Sequence, residues 1–310
     1  MPPPSRRPIT PDEALLWAQS AHVLYLDALM SQSTWTAKEM VFHGGTSLKL
    51  SWNSARYSED LDFLLSKLVR NPEQISAKVM RHVSESIRRI DPNLTVALKD
   101  KTKDPERMLA YHLVVSHPQI IGNVMVKIEF WRTDPKYLEN YPTELRTPIQ
   151  SFELQLFNPV PAATLETAYA DKLTAFATRP HLKWRDIYDL WWIGTQSKSR
   201  LELSTVCEQF LHNLSAYNTV NGLAPAAALR TFLARDPAVL VDLANTDLKK
   251  WLPPKLWDVL SKNNGITQMV DYTRYALQAV ADHVEGGPVE IGEGAQGDGA
   301  VPDLNRAPRG

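Results

Sequence analysis

Asp60 and Asp62 stand one residue apart in the run SEDLDFLL, residues 58–65. Strand periodicity places both carboxylates on one face and Leu61 and Phe63 on the other. Two carboxylates fixed side by side repel each other unless a cation lies between them. An exposed loop leading into a strand would give a similar sequence. Leu61, Phe63, Leu64 and Leu65 argue instead for an interior strand, where an acid without a partner is costly. Some fifteen residues upstream the chain reads Gly44-Gly45-Thr46-Ser47. Paired glycines let backbone amides approach a ligand, and a helix starting there attracts phosphate. A plain strand-to-helix turn has the same letters, and no Gly-Lys-Ser/Thr follows to make a Walker A loop. Together, a phosphate-cradling turn beside a divalent-metal clamp is the equipment of nucleotidyl or phosphoryl transfer.

Three further groups fit that chemistry. Glu129 lies on the polar side of an alternating run and would add a third carboxylate if its strand adjoins that of Asp60 and Asp62. A solvated strand face with Lys127 and Glu129 is the plainer alternative. Lys172 sits at the edge of the apolar stripe Leu165, Tyr169, Leu173 and Phe176. A surface lysine is the ordinary reading there, yet it is placed to reach a triphosphate as a point charge. Asp186 and Asp189 lie three apart on one helical face. There Arg185 could pair with Asp189 while Asp186 serves the helix start. Trp184, Tyr188, Trp191 and Trp192 read as core aromatics before base-stacking ones. His43, His112 and His117 lack metal-ligand spacing, and Cys207 in an apolar helix reads as inert.

The elements that must hold these groups follow from periodicity and punctuation. Thr10-Pro-Asp-Glu13 is a capping box that opens a helix to about Met30. Residues 40–43 read as a strand running into Gly44-Gly45, with a helix over 45–51 and a second strand over 59–65. Ile75, Val79, Val83 and Ile87 recur every four residues after Pro72 and mark an amphipathic helix. Strand-like runs follow at 94–99, 109–116 and 123–131. After Pro159 and Pro161 the texture becomes helical, at 162–178, 184–194, 201–214, 224–233, 236–246 and 267–283. The fold class is therefore α+β: a mixed-sheet domain over 1–158, then an all-helical domain over 159–284. From about Gly286 the chain holds seven of its thirteen glycines, so 285–310 reads as a disordered, acidic, Gly-rich tail.

Composition bounds the class. The chain has 310 residues, 44% hydrophobic and 22% charged, enough for a core without staples. A single cysteine excludes disulfides and cysteine-metal clusters, which fits a cytoplasmic setting. No apolar run suits a secretory signal or a membrane span. The net charge of -1 does not announce a nucleic-acid binder, but residues 67–107 carry ten basic groups against six acidic ones. Arg81, Arg88, Arg89, Lys99, Lys101 and Lys103 in that stretch could follow an RNA backbone.

Four blocks occur in order: FHGGTSL at 42–48, RYSEDLDF at 56–63, ADKLTAF at 170–176 and RDIYDL at 185–190. Together they resemble the AbiEii/AbiGii toxin family of nucleotidyltransferases, which includes the MenT toxins. The resemblance implies a nucleotidyltransferase-like domain followed by a helical one, in a toxin of a toxin–antitoxin or abortive-infection system. It implies transfer of a nucleotide from an NTP, in some members onto tRNA 3′ ends, which blocks translation. Gly44, Gly45, Thr46 and Ser47 would hold the triphosphate, and Asp60 and Asp62 would bind Mg²⁺ (or Mn²⁺), with Glu129 as third ligand or base. Lys172 would contact phosphate, and the pair Asp186 and Asp189 would supply a further acidic group. The partners implied are the NTP, a tRNA or other RNA acceptor and a cognate antitoxin encoded nearby. Two rival activities use the same residues: transfer to a protein hydroxyl, and nucleotide binding without chemistry.

Overall fold

A computed structural model describes residues 6–149, 158–196, 199–286 and Leu304. The chain forms two compact units: Met1–Asn53 with Ser58–Ala163, and Ser54–Tyr57 with Thr164–Gly310. In chain order the first unit contains β1 (Arg7–Pro8), α1 (Pro11–Gln32), β2 (Met40–His43), α2 (Gly44–Trp52), β3 (Asp60–Ser66) and α3 (Pro72–Ile87). There follow β4 (Thr95–Asp100), β5 (Met108–Ser116), β6 (Ile120–Ile121), β7 (Asn123–Thr133), α4 (Pro135–Glu139), β8 (Thr143–Arg146) and β9 (Val160–Ala163). A seven-stranded sheet runs β4-β5-β7-β3-β2-β9-β8, while β1 pairs with β6 alone. The sheet is mixed: β3 lies parallel to β7 and β2 parallel to β9, whereas β2 and β3 are antiparallel.

The capping box forms as its sequence requires: the Glu13 amide donates to Thr10 Oγ1 at 3.2 Å and the Thr10 amide to Glu13 Oε2 at 3.0 Å. From Ser20 to Leu26 every residue of α1 is buried, so this helix is a core rod with no wet side there. It shares one core with Val79, Val83 and Ile87 of α3 and with the sheet face of Leu61, Phe63, Leu113, Ile128 and Phe130. Phe63 stacks on Phe130 at 4.7 Å and meets Phe42 at 5.3 Å between ring centroids. Those rings join β2, β3 and β7 from behind. On the other face a smaller cluster gathers Val41, Leu64, Tyr137, Leu138, Tyr141 and Ala163.

The second unit is helical: α5 (Leu165–Thr178), α6 (Trp184–Gly194), α7 (Leu203–Leu214), α8 (Pro225–Leu233), α9 (Pro237–Asp247), α10 (Pro254–Lys262) and α11 (Gly265–Val284). Thr164 caps α5 by accepting from the Thr167 amide at 3.1 Å. Gly194 passes so close to Tyr272 that any Cβ there would overlap the phenol oxygen. The Tyr272 hydroxyl in turn donates to the carbonyl of Leu304 at 2.7 Å and lies 3.0 Å from the Tyr169 hydroxyl. Among the described residues no helix is long and apolar enough to cross a membrane.

A mixed-sheet region followed by a helical one is thus what the chain builds, with local differences from the sequence pattern. Residues 162 and 163 are not helical. They end strand β9, which pairs with β2 and β8, so α5 begins at Leu165 and β9 belongs to the sheet unit. The two prolines flanking Val160 hide that strand, because they break period-two patterning. Helices α4 and α10 also form, each with a proline in its first turn, Pro135 after the N-cap Asp134 and Pro254 at the start of α10. Of the acidic tail, residues 287–303 and 305–310 lie outside the described residues, while Leu304 is fully buried.

Candidate active site

The strand β2 ends at His43 and the chain turns into α2 through Gly44, whose φ of +76° favours glycine. A Cβ on Gly44 would also stand only 2.6 Å from Asp62 Oδ2, so the turn backbone and the carboxylate are in close contact. Asp62 pairs in register with His43 on β2 and with Glu129 on β7, and Asp60 pairs with Lys127. In-register residues share a face. The adjacency that Glu129 needs is therefore present, and three carboxylates lie on two neighbouring strands beside the glycine turn. Burial, with the nearby charges of Asp62 and Asp60, raises the pKa of Glu129 from its ordinary value, against the opposing charge of Lys127.

Two supports hold this strand entrance. His22, buried in α1, donates from Nε2 to the carbonyl of Glu59 at 2.9 Å, one residue before Asp60. Burial pushes its pKa down to about 4, so the ring is neutral at ordinary pH. Thr46 is also fully buried; its hydroxyl donates to the carbonyl of Asp60 and lies 2.8 Å from Ser58 Oγ. Ser47 Oγ donates to the carbonyl of Phe42 at 3.2 Å. Both hydroxyls expected to face a triphosphate are thus used to brace α2 against the sheet. What remains for an anion at this turn is the run of backbone amides at the start of the helix.

In the helical unit, Lys172 is not at a surface edge. It is buried, and its Nζ lies 2.9 Å from Asp186 Oδ1 and 2.7 Å from Asp189 Oδ2. Asp189 is fully buried and receives a two-pronged contact from Arg56, with Nη2 to Oδ2 at 2.7 Å. Arg185, a neighbour on the helix, does not pair with Asp189; its guanidinium lies 4.0 Å above the Trp251 ring. Arg179 closes the cluster on Asp186 Oδ2 at 2.5 Å. Burial opposes the charges of this cluster, but opposite charges outweigh it: the pKa of Lys172 is raised and that of Asp186 lowered. The pKa of Lys183 is lowered, chiefly by burial and then by the charges of Arg179 and Arg185. Arg56 lies in the RYSEDLDF block but is four residues from Asp60. Only its burial, invisible in sequence, reveals it as the partner of Asp189.

The donor set of the first unit is all hard oxygen, the kind that Mg²⁺ and Mn²⁺ prefer. Among the described residues no three His, Cys, Asp or Glu side chains form a ready metal cage. Mg²⁺ is commonly bound by one or two carboxylates plus substrate phosphates instead of an all-protein cage. Asp60 and Asp62 fit that role, with Glu129 facing Asp62 across the ladder. Cys207 is buried, and burial raises its pKa to about 12, as its apolar helix suggests.

No curated protein sequence matches significantly. Among solved structures, the nucleotidyltransferase toxin MenT4 of Mycobacterium tuberculosis H37Rv superposes with a TM-score of 0.50 at 22% identity, covering 72% of this chain and 73% of that one. JHP933 from Helicobacter pylori aligns over 88% of this chain and 93% of its own at 20% identity, with a TM-score of 0.48. The first of these likenesses supports a nucleotidyltransferase-like fold. Residues 25–249 match the family described as "Nucleotidyl transferase AbiEii toxin, Type IV TA system". This span takes in the glycine turn, the three carboxylates and the Lys172 cluster, and the chain belongs to the AbiEii family of nucleotidyltransferase toxins.

Proposed function

We propose that this chain transfers a nucleotide from an NTP to the 3′ hydroxyl of an RNA, with tRNA as the acceptor. In this reading it is the toxin of a toxin–antitoxin or abortive-infection pair. The observation that carries it is the register that puts Asp60, Asp62 and Glu129 on adjoining strands beside the Gly44 turn. Membership in a type IV toxin–antitoxin family implies a cognate antitoxin.

Asp60 and Asp62 would hold a divalent cation together with the triphosphate; bound there, the cation would supply charge neutralisation and lower the hydroxyl's pKa. The Gly44-Gly45 backbone would orient phosphate at the start of α2. The acceptor's 3′ oxygen attacks the α-phosphorus and forms the new phosphodiester bond. The bond from the α-phosphorus to the bridging oxygen breaks, and pyrophosphate leaves. Glu129, with its raised pKa, is suited to take the hydroxyl's proton. Lys172 is held charged by Asp186 and Asp189. Its part in phosphate binding is assigned by this reading, and Asp189 then acts as the anchor of Lys172 and Arg56.

The test incubates the protein with each α-³²P-labelled NTP, Mg²⁺ and total tRNA, beside the variant Asp60→Ala/Asp62→Ala. Label entering RNA with the wild type alone is the expected result, and it names the donor. Label entering protein transfers the case to a protein hydroxyl. Nucleotide binding with no label anywhere makes the chain a regulator and overturns the catalytic assignments.

A further inference from the structure

The sheet face that carries the carboxylates is only half covered. Across β4, β5, β7 and β3 the register reads Lys99, His112, Lys127, Asp60. The next row away from the small cluster reads Ala97, Val114, Met125. Residues level across a ladder share a face, so both rows lie on the side of Asp60, opposite the core of Tyr111, Ile128 and Leu61. Toward the other strand ends this face is covered where Val41 and Leu64 meet α4, with Trp131 packed against them. Toward the Ala97 row it is bare: Ala97, Lys99, Met125 and Lys127 are exposed, and His112 and Val114 are half-exposed.

The charge on this bare area has one sign. Between Asp60 and the sheet edge the rows hold two lysines and an imidazole and no acid. The connection from β4 to β5 adds Lys101, Lys103 and Arg107 against Asp104 and Glu106. Neighbouring strands lie about 4.8 Å apart, so the row from β3 to the edge strand β4 spans about 14 Å. Lys127 and Lys99, two strands apart, are separated by roughly 10 Å. Such a spacing suits point contacts to the backbone of one polynucleotide strand, while Met125 and Val114 offer apolar surface to its bases. Arg81 of α3, and Arg88 and Arg89 just past its end, take no part. Val79, Val83 and Ile87 seat that helix on the opposite face of the sheet, so Arg81, Arg88 and Arg89 do not continue this track.

We infer that this bare half-face is the docking surface of the acceptor, a single-stranded RNA terminus that crosses β4, β5 and β7 and delivers its 3′ end to Asp60. The inference rests on the nucleotidyl-transfer reading for its direction, and on charge and register for its location. A polypeptide acceptor has no regular array of anions to match the row.

The test measures binding of a 5′-fluorescent single-stranded RNA oligonucleotide by anisotropy, without NTP, over about 50 to 200 mM salt. Lys99 is exposed on an edge strand, so its variants should fold as the wild type, which a melting curve checks. Lys99→Gln should weaken binding several-fold and reduce the slope of log K against log salt by about 0.7, the loss of one phosphate contact. Lys99→Glu should cost at least about tenfold. Lys255→Glu, on exposed α10, should match the wild type. Wild-type-like affinity and slope in Lys99→Glu would overturn the surface. So would a wild type that binds no RNA yet labels a protein. Label transfer, run in parallel, separates the two claims. Lys99-dependent binding without any transfer leaves the surface standing and defeats the reaction. Transfer to RNA with an unchanged KM for RNA in Lys99→Glu leaves the reaction standing and defeats the surface.

Discussion

Glu129 in the sheet unit and Asp186 in the helical unit are carboxylates displaced in opposite directions. Glu129 has its pKa raised by burial and by Asp62 and Asp60. Asp186 has its pKa lowered because Lys172 and Arg179 outweigh a larger burial. The helical cluster is compensated within itself: two aspartates meet Lys172, Arg56 and Arg179 at hydrogen-bond distance. The sheet cluster gathers three carboxylates on one face, with Lys127 beside them. The same residue type thus serves two ends. In the helical unit opposite charges at hydrogen-bond distance fix geometry, and in the sheet unit burial and neighbouring carboxylates raise the proton affinity of Glu129.

That contrast can be broken from either side. The largest effect is expected at Asp189. Asp189→Ala leaves Arg56 and Lys172 buried with Asp186 alone and should cost about 3–5 kcal/mol in denaturant unfolding. Combining Arg56→Met with Asp189→Leu should cost clearly less than the sum of the single changes, the signature of a coupled pair. If Asp189→Ala melts as the wild type does, compensation is not what holds the cluster. Asp62→Asn should do the reverse: nucleotide transfer falls on the order of 10²–10³-fold, while unfolding free energy changes far less than in Asp189→Ala. Equal loss of activity and stability would erase the distinction between the two regions.

A third effect is a pH dependence. The folded-state pKa of His22, about 4, lies below its ordinary value of 6.5. The unfolded chain therefore takes up a proton first as pH falls, and stability contributed above about 6.5 is lost progressively down to about 4. The slope should be near 1.4 kcal/mol per pH unit, for a total of about 3 kcal/mol. His22→Gln should flatten that part of the stability profile, and a profile unchanged by the substitution would remove His22 as its source. The smallest effect is expected at Gly44→Ala, which forces a Cβ into the left-handed region and against Asp62. A stability loss of about 1–2 kcal/mol should come with a loss of transfer greater than that strain alone explains. Calorimetry and initial rates on the same preparation would separate the two.

Much of this site is written locally in the chain. Period two over Asp60–Phe63 and over Val124–Phe130 was enough to place three carboxylates on the polar side of strands, and β3 and β7 do align Asp62 with Glu129. What periodicity does not encode is who meets whom at long range. Arg56 and Asp189 are separated by 133 positions, and nothing near either residue names the other. Arg185 is the nearer cation in sequence, and Trp251 takes it instead. The environment of Lys172 is hidden for the same reason. A lysine at the edge of an apolar stripe looks solvated until other segments supply the carboxylates that let it be buried. The hydroxyls of Thr46 and Ser47 look like ligand donors in a glycine turn, and only the buried carbonyls of Asp60 and Phe42 show their structural use.

Residues Ser54–Tyr57 belong to the helical unit although the chain on both sides of them belongs to the sheet unit. For inheritance this makes the two halves of the gene poor cassettes. A crossover between the codons for Ala163 and Thr164 joins one parent's Arg56 to another parent's Asp189. Recombinants of diverged relatives would then keep this buried pair only where both parents encode it. Exchanging the four codons for 54–57 along with the 3′ half should rescue chimaeras that fail with a single junction.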